Sequence, residues 1–110
     1  MTMWILKTDE GAEPALTFRL TPGSVKTAGR ATGAEFIVDA ALVSRLHCRL
    51  CAGAGEIEIV DLDSTNGTFL NGERIDKRAT ARAGDRIGIG RVELTVSEGT
   101  GSNDAPDQSS

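Results

Sequence analysis

Three short islands of this 110-residue chain carry side chains suited to chemistry. In Ser44-Arg45-Leu46-His47 a hydroxyl, a guanidinium and the chain's single imidazole fall within four residues. A serine near a histidine invites a nucleophile-and-base reading. That chemistry also needs a third orienting group and an oxyanion hole, and neither can be drawn from this sequence. His47 is therefore read as structural. The neighbouring Cys48 and Cys51 have the C-x-x-C spacing of a zinc or redox pair. With no second cysteine pair and only one histidine, a four-ligand Cys/His site cannot be completed. On a strand, thiols three residues apart also face opposite sides. Both are expected to be small buried hydrophobes, and no metal or cofactor is expected.

The other two islands suit an oxyanion and an extended peptide. Gly29-Arg30 stands at the end of a strand, where the guanidinium fork can meet oxyanion oxygens in bidentate fashion. Arg45 beside it would add a second cation and Ser44 a hydroxyl donor. The run from Asp61 to Gly72 holds Ser64, Thr65, Asn66 and two Asn-Gly dipeptides. The amide of Asn66 both donates and accepts, as needed to pin a peptide backbone. Taken singly, each residue is equally well a turn former or a solvated charge. A general electrostatic field does not explain them. The tail beyond Val96 contributes Glu98, Asp104 and Asp107 and no cation to a net charge of −4, so the remainder is near neutral. Such a surface has no basic field for nucleic acid. No apolar run is long enough to span a bilayer, and Met1–Leu6 is too short for a signal-peptide core. The protein is expected to be cytoplasmic, without a membrane or nucleic-acid partner.

These side chains must be held by short strands. Apolar residues make up 39% of the chain and aromatics only 4%, so the core must come from Val, Ile and Leu. No helical periodicity is sustained anywhere. Trp4–Leu6, Leu16–Leu20, Val25–Ala28, Phe36–Val38, Leu46–Ala52 and Glu56–Asp61 read as strands. Thr68–Leu70, Glu73–Ile75, Arg86–Ile89 and Val92–Val96 continue the pattern. Gly53-Ala54-Gly55 reads as a flexible connection, and Asn66-Gly67 and Asn71-Gly72 as turns tolerating positive φ. Many short strands with no crossover helix imply an all-β fold, an antiparallel β-sandwich with its site in the loops at one end. Residues 1–96 are expected to form this domain. Residues 97–110, rich in Ser, Gly, Asp, Asn and Pro, are expected to be a disordered acidic and polar tail.

Jointly, the islands resemble the forkhead-associated domain, from about Val25 to Val96. The resemblance rests on Gly29-Arg30, Ser44-Arg45-Leu46-His47, Ser64-Thr65-Asn66-Gly67-Thr68, Asn71-Gly72 and the closing Gly84-Asp85-Arg86-Ile87-Gly88-Ile89-Gly90. It implies a sandwich of about eleven strands that binds phosphothreonine without catalysis. Arg30, Ser44 and Arg45 would contact phosphate, Thr65 would help hold the phosphothreonine, and Asn66 would grip the adjoining backbone. Gly29, His47, Gly67 and Asn71 would shape the loops. The implied partner is a threonine-phosphorylated protein or peptide, the product of a Ser/Thr kinase. Ala28 departs from the pattern, which usually has a larger apolar residue before Gly-Arg. Two rival functions remain open here: a phosphate-independent interaction module on the same fold, and a hydrolase using Ser44 or Cys48 with His47. Thr8 and Thr100 read as exposed threonines that, once phosphorylated, could fold back into the site and compete with partners.

Overall fold

The computed structural model describes residues 2–100, and these contain eleven strands and no helix. The strands are β1 (Thr2–Thr8), β2 (Thr17–Leu20), β3 (Val25–Gly29), β4 (Phe36–Ile37), β5 (Cys48–Ala52) and β6 (Ile57–Asp61). They continue with β7 (Thr68–Leu70), β8 (Glu73–Arg74), β9 (Arg78–Ala81), β10 (Arg86–Ile89) and β11 (Val92–Thr100). One sheet has the order β2-β1-β11-β10-β7-β8 and the other β4-β3-β5-β6-β9. All pairings are antiparallel except β3 with β4, which is parallel. That exception departs from the all-antiparallel expectation. The six residues between β3 and β4 lead the chain round into the same direction, and those residues form one wall of the site described below.

Alternation builds the core. In β1, Trp4 and Leu6 are fully buried while Lys7 is exposed. In β6, Ile57 and Ile59 point inward with Leu50 of β5, against Ile87, Ile89 and Leu94 of the facing sheet. Each such side chain contributes about 1.5–3 kcal/mol through burial. Two aromatic contacts join the sheets. Trp4 Nε1 donates to the Gly53 carbonyl at 2.8 Å, which anchors the Gly53-Ala54-Gly55 connection read from sequence as flexible. Phe18 on edge strand β2 stacks on Phe36 of edge strand β4, with ring centroids 4.4 Å apart.

Three expectations are corrected. Strand β9 carries no Val, Ile or Leu and was not readable as a strand. It forms because β6 offers it a free edge, pairing Ile57 with Ala81 and Ile59 with Ala79. Strand β11 runs four residues past the boundary expected at Val96. Its partner β1 supplies the reason, since Ile5 pairs with Ser97 and Met3 with Gly99. Backbone pairing needs no apolar side chain. The rest of the expected tail, 101–110, lies outside the described residues. Thr8, expected to be exposed, is buried, and its hydroxyl accepts from the Leu16 N–H at 2.9 Å.

Candidate functional site

Three loops converge at one end of the sandwich: 30–35 after β3, 38–47 before β5, and 62–67 before β7. The first two are stitched together by their backbones. Arg30 N–H donates to the Ser44 carbonyl at 2.9 Å, Ala31 N–H to Arg45 at 3.1 Å, and His47 N–H to Ala28 at 2.9 Å. This close approach explains Gly29. A Cβ there would overlap the Arg45 carbonyl oxygen and stand 2.8 Å from its carbon. Any other residue at that position must push the two loops apart.

The third loop is organised by Asp61, a residue the sequence reading did not single out. Its carboxylate accepts from Ser64 Oγ at 2.5 Å, Thr68 Oγ1 at 2.7 Å and Ser64 N–H at 3.2 Å. Ser64 Oγ in turn accepts from Gly67 N–H at 3.0 Å. Partial burial pushes the Asp61 carboxyl up, but the Ser64 and Thr68 hydrogen bonds outweigh it and hold the group below the ordinary aspartate value. An aspartate three residues before a serine in a turn-rich run can accept from that serine's N–H in the manner of a cap, so the signal was present.

His47 locks the second loop to the third. It is fully buried, its Nδ1 accepts from Ser44 N–H at 3.0 Å, and its Nε2 lies 2.8 Å from the Gly67 carbonyl. A carbonyl only accepts, so Nε2 carries the proton and the neutral tautomer is set. Both ring nitrogens are therefore committed to loop structure. No nitrogen is left to activate Ser44 Oγ, and burial pushes the Cys48 thiol up to about 12. Cys48 is buried and Cys51 half-buried, on opposite faces of β5.

The five residues expected to touch ligand all line one open groove across this end: Arg30, Ser44, Arg45, Thr65 and Asn66. Their polar groups are partly used and partly available. Ser44 Oγ accepts from Thr65 N–H at 3.0 Å, which leaves its own proton to donate. Arg30 Nε donates to the Val43 carbonyl at 3.1 Å, which holds the guanidinium while its terminal N–H groups make no bond among the described residues. Arg45 is exposed and forms no ion pair among them. Asn66 Nδ2 donates to the Leu42 carbonyl at 3.3 Å, leaving its Oδ1 to accept. Leu42 itself holds a left-handed backbone, φ 71°, at a cost of about 1–2 kcal/mol for a non-glycine residue. Of the expected loop-shaping residues, Gly29, His47 and Gly67 belong to this cluster. Asn71 does not. It sits in the β7–β8 turn, bonded to Asp85 and to the Arg86 backbone. Asp39 and Asp63 also line the groove and had no place in the sequence reading.

Neither Thr8 nor Thr100, the threonines expected to reach back into the site, lines the groove. A Cβ on Gly90 would stand 2.9 Å from the Leu42 carbonyl oxygen, so β11 begins at the groove end. It runs about 26 Å away from the groove to Thr100, where the backbone pairs with Thr2. Thr8 is buried.

Residues 26–90 match the FHA domain family. The chain is 41% identical over 85 residues to the ABC transporter ATP-binding/permease protein Rv1747 of Mycobacterium tuberculosis, covering 77% of this chain and 10% of that protein. It is 35% identical over 79 residues to the glycogen accumulation regulator GarA of Mycolicibacterium smegmatis, covering 72% and 49%. The chain thus spans a tenth of the first relative and about half of the second. A solved structure described as a structural and functional analysis of phosphothreonine-dependent FHA domain interactions superposes with a TM-score of 0.75. It is 29% identical, with 88% of this chain and 96% of that one covered. Among the described residues no helix is long and apolar enough to cross a membrane.

Proposed function

Because the chain belongs to the FHA, or forkhead-associated, domain family, we propose that it is a non-catalytic module that binds a phosphothreonine-containing segment of a cytoplasmic partner, the product of a Ser/Thr kinase. The observation that carries this reading is the single groove holding Arg30, Ser44, Arg45, Thr65 and Asn66. A phosphothreonine brings close to two negative charges and three acceptor oxygens. In this reading Arg30 and Arg45 meet the oxygens from two loops and the Ser44 hydroxyl donates a third contact. Thr65 packs beside the modified side chain, and Asn66 holds the peptide backbone next to it. The phosphothreonine-dependent interactions described for the solved relative support this assignment.

Magnitudes agree with a regulatory interaction. Hydrogen bonds to charged groups contribute roughly 1.5–3 kcal/mol each, so three or four supply the roughly 8 kcal/mol of a micromolar complex. A hydrolase has no support, since His47 is committed at both nitrogens.

Isothermal titration of one peptide in phosphothreonine and unmodified forms tests the reading. Binding of the phosphorylated form alone is expected. Arg30→Ala keeps the backbone bond to Ser44 but removes the guanidinium, so affinity falls at least about tenfold while the melting temperature holds. Equal affinity for both peptide forms would instead identify a phosphate-independent module.

A further inference from the structure

We infer that the groove selects phosphothreonine segments with a lysine or arginine close to the modified residue, recognised by the carboxylates of Asp39 and Asp63. This rests on the function proposed above and extends it from the phosphate to the flanking peptide. Both aspartates are exposed and line the same groove as Arg30 and Arg45. Among the described residues neither forms an ion pair, with those arginines or with any other cation.

Each carboxylate stands on ordered backbone. Asp39 follows the fully buried Val38, whose N–H donates to the Gly29 carbonyl at 2.7 Å. Asp63 lies between two tethered residues, with Leu62 N–H bonded to the His47 carbonyl at 3.0 Å and Ser64 N–H to Asp61 at 3.2 Å. Its own φ of 56° is a left-handed conformation that aspartate tolerates well. The two acids therefore stand on the second and third loops, each beside backbone that is already anchored.

Charge balance then dictates the preference. Empty, the groove holds two guanidinium groups and two carboxylates. A phosphothreonine dianion engages the guanidinium groups and leaves Asp39 and Asp63 unmatched in the groove. An acidic flank adds repulsion there, whereas a basic flank restores balance. Like-charge contact across an interface is among the strongest means of rejecting a wrong partner.

The test uses the full chain and a phosphothreonine peptide scanned with lysine or glutamate over about three residues on either side, roughly 10 Å of extended backbone. At one or more positions the lysine peptide binds at least about tenfold tighter than the glutamate peptide, and added salt shrinks that ratio. In the D39N/D63N variant, which is isosteric and spares every phosphate contact, the ratio falls to within about twofold. Phosphate-dependent binding with equal lysine and glutamate affinities at every position overturns this inference alone, as does a ratio unchanged in D39N/D63N. Equal binding of phosphorylated and unmodified lysine peptides overturns the phosphothreonine reading and this inference together.

Discussion

The chain uses the dipeptide Asn-Gly twice between β6 and β8, and the two copies do different work. At Asn71-Gly72 the backbone is the point. Both residues are left-handed, φ 52° and 85°, and they turn β7 directly into β8. The Asn71 amide is consumed internally, with Oδ1 accepting from Arg86 N–H and Nδ2 donating to Asp85. At Asn66-Gly67 only the glycine is left-handed, φ 90°. Its N–H and carbonyl are held by Ser64 and His47, so the turn is built around Asn66 rather than by it. The Asn66 amide spends one donor on Leu42 and keeps its acceptor free of any bond among the described residues, in a residue that lines the groove. One dipeptide thus serves as a hinge and the other as a platform, and what separates them is their neighbours, not their composition.

The largest effect is expected where the platform is supported. His47→Ala strands the part-buried Ser44 N–H and the buried Gly67 carbonyl and leaves a void, costing about 2–4 kcal/mol in denaturant unfolding and lowering phosphopeptide affinity with it. Asn66→Ala comes next. Titration calorimetry should show at least about tenfold weaker phosphopeptide binding, near 1.4 kcal/mol, with a melting temperature close to the parent. Asn71→Ala should do the opposite, losing about 1 kcal/mol of stability with binding unchanged. If Asn71→Ala weakens binding and Asn66→Ala does not, the assignment of platform and hinge is reversed and fails.

The smallest effect concerns pH. The Asp61 carboxyl lies below its ordinary value because its hydrogen bonds outweigh burial. A depressed carboxylate stabilises the fold above the unfolded-state pKa of aspartate, about 3.9. That stabilisation is lost as pH falls through the lower folded value. Urea midpoints measured down through that window should fall more steeply in the parent than in Asp61→Asn. Parallel slopes would show that Asp61 does not set the acid sensitivity of the platform.

Strands with alternating apolar residues were legible because burial on one face writes itself into sequence with period two. Ile57 and Ile59 in β6, and Ile87 and Ile89 in β10, are examples. The turn residues and the three islands were legible because few residue types suit those backbone and hydrogen-bonding roles. Edges were not legible. Strand β9 is recruited by the open side of β6, and residues 97–100 by β1, through backbone groups that every residue carries. Nor did sequence place Thr8 in the interior, since its hydroxyl is satisfied by Leu16, eight positions away.

What the amino-acid order determined alone is the all-β class, the turn positions and the side chains available to hold an anion. Tertiary structure decided which of them meet. Arg30 and Ser44 lie fourteen residues apart, and Thr65 a further twenty-one. They share a groove only because Gly29 lets two backbones touch and His47 ties a third loop to the second. The groove's charge balance was decided there too. Asp39 and Asp63 become part of it through distance in space, a quantity that spacing along the chain does not encode.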